Sequence, residues 1–185
     1  MGRVILASAS PRRQQLLRQV GLDFEVMVSE VDENISGSAE ERVRELALCK
    51  ARAVADKAGS DVIVIGADTL VSVDGKVLEK PADHGEAFEM LKSLSGRKHQ
   101  VYTGVAVVGG DVVQTFVEKA DVFFRTLTDE EIKGYISTGE PFDKAGGYGI
   151  QGRGALLVER IEGDFYTVMG LPLCRLFQVL HKTIW

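Results

Sequence analysis

The chain has 185 residues, 45% of them apolar and 26% charged, with a formal net charge of −5. This is the make-up of a soluble globular protein long enough for one domain with a real core, spanning 1–185. The acidic balance argues against nucleic-acid binding, and no apolar run reaches the roughly 18 residues of a membrane span.

The N-terminus carries no signal-peptide pattern. The two cysteines, Cys49 and Cys174, have neither disulfide-framework nor metal-ligand spacing and read as reduced core thiols, which makes a cytoplasmic location the expectation.

In chain order, Val4-Ile5-Leu6-Ala7 reads as a buried strand. Ser10 then stands at an N-cap with Pro11 at the first helical position, and the helix runs on until Gly21. Arg12 and Arg13 in its first turn oppose the helix dipole. A bound anion accounts for them better than helix stability does, and a solvated helix start is the alternative. A second strand is expected over Phe24–Val28, followed by the acidic loop Ser29-Glu30-Val31-Asp32-Glu33-Asn34. Ser38 with Glu41 forms a capping-box pattern opening a helix to about Ala58.

Asp61–Gly66 reads as another buried strand. Thr69–Val73 and Lys76–Leu78 flank Asp74-Gly75, a hairpin signal. Asp83 and Glu86 cap a helix through Leu94. Two long strands follow, around Val101–Val108 and Val112–Phe124, and Thr128 with Glu131 caps a short helix. A glycine-rich loop, Phe142–Gly154, leads to a strand at Ala155–Arg160, and an amphipathic helix over Leu171–Lys182 closes the chain. Parallel-type crossovers mixed with hairpins predict an α/β protein with a mixed sheet and helices packed on it.

Four places besides the N-terminus carry chemistry. Asp68, read as ending a buried strand, holds a metal, accepts a proton from water, or caps the next turn. Lys80, in Glu79-Lys80-Pro81, is held extended by the following proline. Lys50 falls inside the apolar stripe of Val43, Leu46, Ala47 and Val54, so it must find an anion or snorkel outward. In the glycine-rich loop, the Gln151 amide offers a donor and an acceptor together, which suits a nucleobase edge. The loop matches neither the P-loop nor the dinucleotide fingerprint. Arginines, lysines and a helix N-terminus hold a polyphosphate, and the acidic loop with Asp68 holds a divalent metal or activates water. A base-reading loop completes a set suited to nucleoside triphosphate hydrolysis. A nucleotide-sensing module and a purine house-cleaning enzyme remain as alternatives.

The segments Leu6-Ala7-Ser8-Ala9-Ser10-Pro11-Arg12-Arg13, Ser29-Glu30-Val31-Asp32-Glu33, Ile65-Gly66-Ala67-Asp68-Thr69, Glu79-Lys80-Pro81, Leu94-Ser95-Gly96 and Asp143-Lys144-Ala145-Gly146-Gly147-Tyr148-Gly149-Ile150-Gln151-Gly152 are similar to the motifs of the Maf family of nucleoside triphosphate pyrophosphatases. The likeness runs from Ile5 to about Leu173, and its last motif resembles the branch acting on dTTP and UTP. The resemblance implies an elongated α/β sheet fold with a central nucleotide-binding cleft, release of pyrophosphate to leave a nucleoside monophosphate, and a divalent cation such as Mg²⁺ or Mn²⁺. It also implies a homodimer in many members and a link to cell-division arrest. By resemblance, Asp68 is the proton acceptor, and Arg12, Thr69 and Gln151 set specificity. Ser8, Arg13, Lys50 and Lys80 match phosphate positions, and Glu33 matches an acidic residue serving metal or water.

Overall fold

The computed structural model describes residues 3–59 and 61–184. Its elements are β1 (Arg3–Leu6), α1 (Pro11–Gln19), β2 (Glu25–Val26), α2 (Ala39–Ala58), β3 (Val62–Val73), β4 (Lys76–Leu78), α3 (His84–Leu94), β5 (Lys98–Gly109), β6 (Val112–Phe124), α4 (Asp129–Ile136), β7 (Val158–Glu162), α5 (Phe165–Met169) and α6 (Leu173–Ile184). The sheet is mixed, in the order β2-β1-β3-β5-β6-β7, with β4 pairing on β3. β1 is parallel to both β2 and β3, whereas β4 and β7 are antiparallel to their neighbours. The chain is therefore α/β, as its alternation of crossovers and hairpins predicts.

Caps written in the sequence form as expected. Ser38 and Glu41 close a reciprocal capping box on α2, and Thr128 with Glu131 does the same on α4. Asp83 accepts from the Glu86 backbone at the start of α3. The hairpin after β3 turns at Asp74 and Gly75, with φ of 51° and 79°. Two consecutive positive values are what a tight hairpin requires, and they explain the Asp-Gly pair.

Four expectations need correction. Asp61–Gly66 and Thr69–Val73 are one continuous strand, β3, so Asp68 lies within a strand and does not end one. What ends there is the pairing with β1, whose last register pair is Leu6↔Ile65. Second, the strand expected at Phe24–Val28 shrinks to Glu25–Val26, because only Ile5 and Leu6 of β1 pair with it. Third, the segment before β7 is a 3₁₀ turn, Gly152–Leu156, and the strand begins only at Val158. The Leu157 backbone N–H bonds the Gly154 carbonyl, which closes a turn where a strand was expected. Fourth, Cys174 is exposed and Cys49 only partly buried, both as free thiols. The short helix α5 has no counterpart among the expected elements.

Contacts group the chain into two compact units, with the division falling inside β3, β5 and β6. The first holds the described residues through Asp68, Thr103–Glu118 and those from Gly170 onward. Its core includes Ile5, Ala7, Ala47, Ala51, Val54, Val64 and Ala106, which places α2 directly on the strands. Two glycines make that contact possible. A Cβ on Gly66 would stand 2.2 Å from the Ala47 carbonyl oxygen and 2.8 Å from the Ala51 nitrogen, and one on Gly104 would stand 2.2 Å from the Val43 oxygen. No side chain fits between helix backbone and strand backbone at either point, so glycine here serves close approach.

The second unit comprises Thr69–Tyr102 and Lys119–Met169. Its core packs α3 and α4 residues with Val101, Val122, Phe124 and Tyr148. At its centre is His99, fully buried. Its ring stands edge-on to Phe124 and Tyr148, with centroids 5.0 and 5.3 Å away. Burial pushes the imidazole down to about 4 from its ordinary 6.5, with Asp121 opposing. The native state therefore holds His99 neutral.

Two outcomes follow. Gly66→Ala should lower the unfolding free energy by about 1–3 kcal/mol through overpacking, read as a shifted urea midpoint at unchanged slope. The second concerns acid. Because the native His99 value is depressed, its contribution is full above pH 6.5 and is lost as pH falls toward about 4, where the unfolded chain alone binds the proton. Wild type should lose on the order of 3 kcal/mol more than His99→Gln between pH 7 and pH 4, compared by urea midpoints.

Candidate active site

The first unit gathers six of the residues singled out from the sequence. β1 is buried except at its first residue, and it delivers the chain to Ser8 at the start of α1. Ser8 is buried. Its Oγ accepts from the Arg13 guanidinium at 3.0 Å and from the Ser10 backbone N–H at 3.3 Å. Both lone pairs of the hydroxyl are thereby used, which leaves its own proton as what it has to donate. Arg13 also donates from Nε to the Gly170 carbonyl at 2.7 Å. That bond ties the start of α1 to the segment leading into α6. Ser10 caps the helix, its hydroxyl accepting from the Arg13 N–H. Arg12 and Arg13, both partly buried, thus sit in the first turn, on the positive end of the helix.

Of the two outcomes open to Lys50, an anion or snorkelling outward, the structure shows an anion, and it is internal. Its Nζ lies 2.8 Å from Asp68 Oδ1 and 2.6 Å from Glu33 Oε1. The Lys50 and Asp68 side chains are each 12% exposed, while that of Glu33 is 61% exposed. The ammonium is therefore gripped at its buried end by Asp68 and at its open end by Glu33. Its neighbour Ala51 is one of the backbone positions that Gly66 admits, so the glycine contact sets how closely Lys50 approaches Asp68.

These two parts sense one another electrostatically. Burial pulls the Arg13 guanidinium below its ordinary value, the charges of Asp68 and Glu33 pull it back up, and Arg12 adds to the lowering. Two arginines, a lysine and two carboxylates thus act on one another's charge, the kind of cluster that marks a candidate site.

Among the described residues no three acidic, histidine or cysteine side chains form a metal cage. Glu33 and Asp68 nevertheless direct two carboxylate oxygens at one cationic centre, the Lys50 ammonium. That donor set fits a Mg²⁺-type ion, which takes one or two carboxylates and completes its shell from phosphate and water.

Thr69 follows Asp68 on β3 and is partly buried. It belongs to the second unit, as do Lys80 and Gln151. Lys80 is exposed, between Glu79 and the buried Pro81. The Glu79 carbonyl accepts from Gly146 N–H at 3.1 Å, which fixes the glycine-rich segment beside Lys80. Gly146 has φ of 70°, and a Cβ there would meet the Val71 side chain at 2.9 Å.

The glycine-rich segment is more constrained than its composition suggests. Gly149 N–H donates to the Tyr135 hydroxyl at 3.2 Å. The Glu140 carboxylate accepts from the backbone N–H groups of Arg153 and Gly154, at 3.1 and 3.3 Å. Gln151 is the midpoint of the span held by these anchors, in extended conformation and partly buried. Sequence reasoning missed Tyr135, Glu140 and His99, whose bond to Tyr148 is 2.7 Å long. The signal for Tyr148 lay in its place among the glycines, but nothing local marks the three residues that hold the segment.

The Maf-like protein family model matches residues 3–183. A dTTP/UTP pyrophosphatase of Bacillus thuringiensis subsp. konkukian is 51% identical over 184 residues, 98% of this chain and 96% of that one. A protein of the same name from Bacillus cereus is 52% identical over the same shares. The solved structure of the Staphylococcus aureus Ham1 protein is a looser likeness, with a TM-score of 0.47 and 21% identity over 69% of this chain and 72% of that one. With the family model spanning nearly every residue and half the positions identical to such relatives, the chain belongs to the Maf-like protein family.

Proposed function

We propose that this chain hydrolyses dTTP and UTP to the nucleoside monophosphate and pyrophosphate. The observation that carries the reading is the Glu33–Lys50–Asp68 constellation, electrostatically coupled to Arg13 at the head of α1. The names of relatives identical at half their positions support the same substrates.

We assign the roles from the geometry of the first unit and, for Thr69, Lys80 and Gln151, from their resemblance to the family motifs. The start of α1 offers Arg12, Arg13 and the Ser8 hydroxyl to phosphate oxygens, where charge-assisted bonds are strong. Lys50 takes Asp68 Oδ1 and so fixes the carboxylate's orientation, leaving Oδ2 as the oxygen assigned to the attacking water. Water attacks the α-phosphorus, Asp68 receives the proton, the α–β anhydride bond breaks, and pyrophosphate departs. Glu33, at the exposed end, would hold a divalent cation, which supplies neutralisation of phosphate charge when bound. Most of the catalysis in such a site is positioning and charge stabilisation, so the cations matter as much as the base. By resemblance to the family motifs, Lys80 is assigned to phosphate and Thr69 and Gln151 to the base. A uracil or thymine edge alternates acceptor, donor and acceptor, and one amide meets two neighbouring members of that series.

Chromatography of the products with Mg²⁺ tests the reading. dTTP should yield dTMP and pyrophosphate, and Asp68→Asn should reduce turnover by at least about 100-fold. Accumulation of a nucleoside diphosphate with orthophosphate overturns it. Lys50 gives a separate check. Lys50→Met leaves the buried Asp68 without its cation and should destabilise the fold by about 3–5 kcal/mol. The double variant with Asp68→Asn should recover much of that stability and none of the activity, as measured by urea unfolding and turnover.

A further inference from the structure

His99 is fully buried, among the described residues its Nδ1 has no hydrogen-bond partner, and its Nε2 lies 2.7 Å from the Tyr148 hydroxyl. Burying an imidazole with one nitrogen unsatisfied is unfavourable, and a phenylalanine or leucine would fill an aromatic cluster without that penalty. What the histidine supplies that an apolar residue does not is the bond to Tyr148. Burial also raises the Tyr148 hydroxyl above its ordinary value, so it stays protonated and able to bond a neutral ring.

Tyr148 is fixed in every direction. Its ring stands edge-on to Phe124 at 4.7 Å between centroids and edge-on to His99. A T-shaped stack limits tilt but lets a ring slide in depth, whereas a hydrogen bond at its tip fixes that depth. Gly149, whose N–H is held by Tyr135, follows immediately. Beyond Gln151, Glu140 holds the N–H groups of Arg153 and Gly154. A Cβ on Gly152 would lie 2.8 Å from that carboxylate, so the backbone runs close against it at the far end of the span. A change in the depth of Tyr148 is passed through Gly149 toward Ile150 and Gln151, the residues between the two anchors.

We infer that His99 is a positioning residue for specificity: through Tyr148 it holds the Gly149–Arg153 span, and with it Gln151, at the setting that favours a pyrimidine. The inference rests on the assignment of Gln151 to the base. His99 touches no substrate and acts from the core behind the loop. It extends base selection to a residue that lies far from Gln151 in sequence, on β5.

The test compares dTTP with GTP for wild type, Gln151→Ala, Tyr148→Phe, His99→Phe and His99→Gln, with urea midpoints measured in parallel. Tyr148→Phe removes one oxygen and keeps the ring, so it serves even if His99→Phe folds poorly. Both should raise KM for dTTP by about three- to tenfold, the range for one lost hydrogen bond, with kcat within about twofold and a narrowed dTTP/GTP ratio of kcat/KM. His99→Gln, which keeps a polar group in reach of the hydroxyl, should retain most of the wild-type preference. If Tyr148→Phe shifts the urea midpoint but leaves KM and the ratio at wild-type values while Gln151→Ala narrows the ratio, the histidine is merely structural and the inference falls alone. If Gln151→Ala also leaves the ratio unchanged, the base assignment fails and the inference falls with it.

Discussion

The contact between α2 and β3 at Gly66 governs the rest of the first unit. Helix and strand backbones approach there until a single methyl group would collide with the Ala47 carbonyl. That closeness lets a lysine on the helix reach a carboxylate on the strand within 2.8 Å. With an ordinary side chain at residue 66 the helix would stand further off, and Asp68 would be buried without its lysine. A buried charge left alone is among the more costly defects a fold can hold. The glycine, the lysine and the aspartate are therefore one device with a backbone part and a charged part.

The device also shows how an acidic protein keeps oriented cations in its interior. Lys50 is neutralised from within by Asp68 and Glu33, and Arg13 is held by Ser8 and the Gly170 carbonyl. Each cation is oriented by protein before any ligand arrives, so little side-chain entropy remains to be lost on binding. The open end of the constellation is Glu33, the most exposed of the three.

The second unit applies the same economy to a loop. Glycines permit the turns at Gly146 and Gly152, with φ of 70° and 64°, yet the segment is held by Tyr135, Glu140 and the His99–Tyr148 bond. Glycine there supplies permitted conformations, and side chains from β5, α4 and the turn after α4 choose among them. The result is a polar amide, Gln151, presented from a backbone with few alternatives.

Local signals determined a great deal of this protein. Caps at Ser10, Ser38, Asp83 and Thr128, the Asp74-Gly75 turn and the apolar strand runs are written in neighbouring residues, because a helix start or a tight turn is an interaction over three or four positions. The motifs also named the residues of the candidate site, and the place of Lys50 in an apolar stripe left it an anion or an outward path. Only the tertiary structure decided which anion, because Glu33 and Asp68 lie on other elements and meet the lysine through packing. The same holds for β3. One strand is expected to stop at Gly66 and another to start at Thr69, but the glycine serves a helix lying across it, and the strand runs on through Asp68. His99, Tyr135 and Glu140 left no local trace for the same reason: each acts on the glycine-rich segment across the fold, at a separation no sequence period records.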